Sequence, residues 1–207
     1  MQNRQRMWFF CALCFLLVSL SFGVWGLSQF LFVQHSPDNR TREYSTSSTQ
    51  VVSSSVLDMS NAHLIIPSIQ LDAPVEQVGL TATGAMDVPT KDQWGGVGWY
   101  NKGSLPGTVG SAVIDGHLDK PGGLPAVFWN LRNLHLGDLV TVQDKEGHTK
   151  RFRVTKMANY APDQAPLDEI FSNKDGSFLN LITCAGRWVP SQHQTTLRLV
   201  VYTTLVE

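Results

Sequence analysis

The residues with the most chemistry to offer in this chain are one cysteine, one histidine and one arginine. Cys184 closes the apolar run Phe178-Leu179-Asn180-Leu181-Ile182-Thr183, and the other two cysteines, Cys11 and Cys14, lie near the N-terminus. A thiol attacks a carbonyl as its thiolate, so Cys184 needs a proton acceptor or a positive charge beside it. Five histidines follow residue 60. His63 reads as a surface or strand-edge residue, His135 and His148 as solvated residues beside turns, and His193 as part of the polar loop 190–194. His117 differs, because it follows the apolar run Ser111-Ala112-Val113-Ile114 through Asp115-Gly116. Where a rigid strand hands over to a loop, functional side chains are often presented. Arg198 interrupts the otherwise uncharged run Thr195 to Tyr202. A guanidinium is always charged and carries several donors, which suits the oxyanion formed when a carbonyl is attacked. A solvent-facing position is the alternative for Arg198, and the nearby Arg187 competes for its role.

These residues must be placed by the elements around them. From Met7 to Val33 the chain is almost wholly apolar, and a spanning helix needs roughly 20 such residues. Arg4 and Arg6 precede the run, which favours a cytoplasmic N-terminus. A cleaved signal peptide ending near Ser21-Phe22-Gly23 is the rival reading, but the apolar run outlasts an ordinary signal core. Cys11 and Cys14 then belong to the membrane. An odd thiol in the exported remainder points to intermolecular pairing or to reactivity. Residues 34–60, rich in Ser, Thr and Gln, read as a flexible stalk reaching roughly 30 Å. Residues 61–207 are one domain's worth of chain, with 12 Lys and Arg against 14 Asp and Glu. No basic patch is present, which argues against nucleic acid as a partner.

Short β-branched runs broken by Gly, Pro and Asp predict strands at 63–66, 74–78, 111–115, 138–143, 150–157, 178–183 and 196–206. The fourth and fifth form a hairpin around Asp144-Lys145-Glu146-Gly147. Helical spacing appears only over 125–134 and 166–171. Many short strands with few helices predict a mainly β domain, a barrel or sandwich. The acidic residues Asp163, Asp168, Glu169 and Asp175 lack the dense spacing of a calcium loop and read as solvated charges. A single cysteine in the domain offers no zinc motif. No metal and no cofactor are expected.

The order His117, Cys184 after Leu181-Ile182-Thr183, and Arg198 resembles the sortase family, with separations of 67 and 14 residues. The likeness extends over most of the domain. Ile65-Ile66-Pro67-Ser68-Ile69-Gln70-Leu71-Asp72-Ala73-Pro74-Val75 is similar to the family's opening strand pair. Gly98-Trp99-Tyr100 and Pro106 to His117 resemble its approach to the catalytic histidine. Leu131-x-x-Leu134-x-x-Gly137-Asp138 resembles the stretch before its hairpin. Cys184-Ala185-Gly186 and Trp99-Tyr100 look most like the class F group. Residues 34–60 lack the Asp-Pro-aromatic lid motif of the pilin-polymerising class C enzymes.

The resemblance implies an eight-stranded sortase-type β-barrel with a few short helices, held at the cell membrane by a single-pass N-terminal helix, with the catalytic domain outside. Cys184 would attack the Thr–Gly carbonyl of an LPXTG-like signal and form a thioacyl intermediate. His117 would shuttle the proton, and Arg198 would hold the substrate and oxyanion. Thr183 and Ala185 would contact the substrate, the latter through its backbone N–H. The partners implied are surface proteins bearing a sorting signal and a cell-wall precursor amine. The segment 158–176 is similar to the family's substrate-flanking loop. Papain-like peptidases place Cys before His, the reverse of this order, and L,D-transpeptidases need a histidine where Ile182 stands. A sortase-fold peptidase that hydrolyses without transfer remains open. So does a tethered β-barrel binding module with an inert cysteine, since a free cysteine often serves as a small core residue.

Overall fold

Apolar side chains recur at every second position of the strands, and that alternation curls the chain into a closed barrel with one row of side chains inside. The computed structural model describes residues 56–206. The expected membrane segment and nearly all of the expected stalk lie outside these residues. Among the described residues no helix is long and apolar enough to cross a membrane.

Among the described residues ten strands are present: β1 (His63–Ile66), β2 (Leu71–Val78), β3 (Val97–Tyr100), β4 (Gly110–Asp115), β5 (Asp119–Lys120), β6 (Leu124–Pro125), β7 (Leu139–Gln143), β8 (Thr149–Tyr160), β9 (Ser177–Val189) and β10 (Gln194–Leu205). Eight of them close in the order β1-β2-β3-β4-β9-β10-β8-β7, and β5 and β6 form a separate ribbon. The β2–β3 and β4–β9 pairs are parallel, while the other barrel pairs are antiparallel. The interior is filled by Leu64, Ile66, Ala112, Ile114, Val140, Phe152, Leu179, Leu181, Leu199 and Val201, all buried. Burying each large apolar side chain contributes about 1.5–3 kcal/mol. Phe128, Leu131 and Leu134 belong to the same core.

A second, smaller cluster explains the continuous apolar stretches of β4, β9 and β10. Val113, Val200 and Tyr202 point out of the barrel and are buried with Ile170 and Phe171 of the 161–176 segment. Strands covered on both faces lose the in–out alternation. Several hydrogen bonds fasten this segment to the barrel. Asn180 Nδ2 donates to the Ile170 carbonyl at 2.7 Å, Lys156 Nζ meets Glu169 Oε1 at 2.8 Å, and Ser111 Oγ donates to the Asn173 carbonyl at 3.4 Å.

All seven predicted strands are present, and β3, β5 and β6 add to them. The helix predicted at 125–134 is instead β6 followed by a 3-10 turn at Leu131–Asn133. Its backbone is drawn outward, because Val127 N–H donates to the Trp94 carbonyl and Phe128 N–H to the His117 carbonyl. The apolar spacing there serves one face of an irregular plug. The turn predicted at 166–171 is a single wide turn at Asp168–Ser172. The packed chain also begins before residue 61, since Leu57 and Met59 are buried in the core.

Candidate active site

Strand register brings the three candidate residues together. Cys184 on β9 lies directly opposite Arg198 on β10. Partners in an antiparallel pair project to the same face, about 5 Å apart at the backbone. On the other side of β9, the parallel register with β4 ends at Asp115 opposite Ile182. His117 is two residues past Asp115, as Cys184 is two past Ile182. The outward side chains therefore form successive rows across three strands: Val113, Asn180 and Tyr202, then Asp115, Ile182 and Val200. The next row is His117, Cys184 and Arg198, and all three line one cleft of about 390 Å³.

Two hydrogen bonds carry this alignment past the end of β4. Gly116 N–H donates to the Ile182 carbonyl at 3.2 Å, and the buried Thr183 hydroxyl donates to the Gly116 carbonyl at 2.8 Å. Gly116 has no room for a side chain, since a Cβ there would stand 2.7 Å from Phe128 Cδ2 and 2.9 Å from Val127 Cγ1. The Phe128 N–H also donates to the His117 carbonyl at 2.9 Å. His117 is thus tied to the core through Gly116 and through its own carbonyl.

The His117 ring packs against Trp94, with centroids 4.9 Å apart and planes tilted by 46°. Its Nε2 is buried and has no hydrogen-bond partner. Burial holds its pKa below the usual 6.5, opposed only by the nearby Asp119 carboxylate. The imidazole is therefore neutral at pH 7 and able to accept a proton. Arg198 is fixed by its own strand. Its NH1 donates to the Thr195 hydroxyl at 2.9 Å and to the Leu197 and Thr195 carbonyls at 3.0 and 3.2 Å. Its NH2 donates to Gln194 Oε1 at 3.4 Å. Cys184 is partly exposed and is the only cysteine among the described residues.

Cys184 also borders a second hollow of about 340 Å³, lined in addition by Thr183, Ala185 and Gly186. Thr183 lines both spaces and Ala185 only the second. His63 is at the surface beside Asp72. His148 pairs with Asp144 in the β7–β8 turn at 2.9 Å. Glu146 joins that pair, with one ligand atom of each residue within 4.8 Å of the others, but none of the three lines the cleft. Two residues around the site escaped the sequence reading. Trp94 sits in a Gly-rich loop where nothing marks it as a partner of His117. Asp115 lies inside the quoted run to His117, and its one signal is a charge ending an apolar strand that is covered on both faces.

A closed barrel with a cysteine, a neutral histidine and an arginine on one outer row defines a cysteine-nucleophile β-barrel enzyme. A family model described as the sortase domain matches residues 64–206, more than two thirds of the chain, and the chain belongs to the sortase family. It is a cysteine transpeptidase of the cell-wall sorting type. Among solved structures it is similar to sortase C-1 from Actinomyces oris, at 26% identity over 70% of this chain and 73% of that one, with a TM-score of 0.55. It is also similar to sortase C1 from Streptococcus agalactiae, at 24% identity over 72% and 68% of the two chains, with a TM-score of 0.57. Sortase A from Corynebacterium diphtheriae, in a lid-mutant form, shares the fold at 22% identity over 71% and 70%, with a TM-score of 0.56. No curated protein sequence matches the chain significantly.

Proposed function

We propose that this enzyme cleaves an LPXTG-like sorting signal between Thr and Gly and transfers the upstream protein to a cell-wall precursor amine. The observation that carries this reading is the row of His117, Cys184 and Arg198 at the edge of a cleft that can receive an extended peptide. Neutral His117 takes the thiol proton as Cys184 Sγ attacks the threonine carbonyl carbon. The fixed Arg198 guanidinium supplies positive charge as the carbonyl oxygen becomes an oxyanion. Collapse of that intermediate breaks the Thr–Gly bond, and the imidazolium gives its proton to the departing glycine amine. The acceptor amine then attacks the thioester, its proton passes to His117, and the cysteine sulfur leaves and is reprotonated. The expected N-terminal anchor and stalk would hold the barrel outside the cell at the membrane surface, where both substrates are found.

The test is a fluorogenic LPXTG-type peptide assayed with and without an added amine. Transfer product in the presence of amine is expected from the wild type. Cys184→Ala, His117→Ala and Arg198→Ala should each lose at least about a hundredfold in kcat/KM, the scale of removing a proton carrier or an oxyanion donor. A charged alkylating reagent should label Cys184 at neutral pH. Full activity in Cys184→Ala would end the enzyme reading, and unchanged turnover in either other variant would remove that residue from the mechanism.

A further inference from the structure

Cys184 stands where two spaces meet, and the signal peptide occupies only one of them. The cleft and the hollow of about 340 Å³ share just two lining residues, Thr183 and Cys184. His117 lines the cleft and the next residue, Leu118, lines the hollow, so the proton carrier also stands at the junction. The hollow rests on the buried side chains of Phe128 and Leu199. No acidic residue lines it, and its one charged side chain is Arg132. The 3-10 turn Leu131–Asn133 places that arginine, since Leu131 is buried in the core and Arg132 beside it is left exposed. The Arg132 guanidinium carbon lies 4.4 Å from the centre of the Trp129 ring. Stacking of this kind orients the guanidinium without using its N–H donors. Among the described residues Arg132 meets no carboxylate and makes no side-chain hydrogen bond. The carboxamide of Asn159, which also lines the hollow, makes none either. Arg198, by contrast, directs its donors at Thr195, Leu197 and Gln194.

Transfer brings two substrates to one sulfur. Once the acyl group is on Cys184, the upstream peptide fills the cleft, and the amine must reach the thioester carbonyl from the other space. A preoriented guanidinium with free donors at that opening matches a carboxylate, whose two oxygens accept parallel N–H bonds. We propose that the hollow is the acceptor subsite and that Arg132, with Asn159 as a second donor, binds a carboxylate carried by the acceptor. The preferred acceptor is then an amino-acid or peptide amine with a free acid group. Its nitrogen forms the new bond to the acyl carbon, the C–S bond breaks, and the amine proton passes through His117 to the sulfur. This proposal rests on the transpeptidase reading.

The experiment uses the purified full-length chain, a fluorogenic LPXTG-type peptide and two acceptor pairs: triglycine with triglycinamide, and Nα-acetyl-lysine with its carboxamide. The members of a pair present the same amine and differ by one negative charge. Both attack the same thioacyl enzyme, so the ratio of their transfer products in competition reads the acceptor step alone. For at least one pair the wild type should favour the acid by about fivefold, the upper range of an exposed ion pair, and by less at high salt. Arg132→Gln should bring that ratio to about one, Arg132→Lys should keep part of it, and Arg132→Glu should favour the amide. Arg153→Gln removes an exposed arginine that does not line the hollow, and should keep the wild-type ratio. Equal use of acid and amide in both pairs, a preference unchanged in Arg132→Gln, or one lost equally in Arg153→Gln would overturn the assignment. Cleavage with no product from any of the amines would overturn it too, while leaving Cys184 as the nucleophile of a hydrolase. No cleavage at all would end the transpeptidase reading, and this proposal with it.

Discussion

Replacing Asp115 with asparagine should change the pH dependence of folding in a calculable way. In the unfolded chain the carboxyl titrates near 3.8, and in the folded barrel near 7, chiefly because burial penalises its charge. Between those values the folded protein holds a proton that the unfolded chain has released. Stability therefore falls as pH rises through this window and levels off above it. Linkage with these two values gives a loss of about 2–3 kcal/mol between roughly pH 5 and pH 8. The side chain keeps some contact with solvent, and screening reduces the expected effect to about 1–2 kcal/mol. Asparagine occupies nearly the same space and does not titrate. Any fixed cost of its amide cancels when the variant and wild type are compared at two pH values. Urea unfolding of both proteins at about pH 5 and about pH 8 should show the variant gaining on the wild type by that amount. A gap constant to within about 0.5 kcal/mol, the scale of an ordinary surface change, would refute the claim that burial of this carboxyl raises its pKa in the folded barrel.

Two further predictions concern the joint between β4 and β9. Thr183→Val removes the hydroxyl that donates to the Gly116 carbonyl at 2.8 Å; it should cost about 1–3 kcal/mol in urea unfolding and lower kcat more than it slows alkylation of Cys184, because the histidine loses its alignment while the thiol stays accessible. Gly116→Ala places a Cβ against Phe128 and Val127, with an expected cost of about 1–3 kcal/mol from overpacking and a matching fall in thermal midpoint and peptide cleavage.

Much of the fold was legible in the sequence for a local reason. The strand runs at 63–66, 111–115, 138–143 and 178–183 are β-branched and apolar, and glycine, proline and aspartate punctuate them, so their local preferences agree with the final barrel. β3 was not read as a strand, because it is four residues long and contains Gly98, whose small size serves the neighbouring Asp115 rather than the strand. The stretch 125–134 misled because its apolar residues recur at helical spacing, whereas its N–H groups are claimed by Trp94 and His117 carbonyls far away in sequence. Periodicity reports which side chains are buried, not which carbonyls the backbone meets.

By itself the sequence singled out Cys184, His117 and Arg198 as candidates for nucleophile, proton carrier and cation, because an unpaired cysteine, a strand-end histidine and a strand-interrupting arginine are unusual in their own local settings. Tertiary structure alone decided that they share one row. That depends on the β4–β9 parallel register and the β9–β10 antiparallel register, which join residues 67 and 14 positions apart. It also decided that His117 is neutral against Trp94 and that the Asp115 carboxyl is largely buried where its strand meets the cleft. Burial and partnership are properties of the packed chain, and neither can be read from a residue's neighbours in sequence.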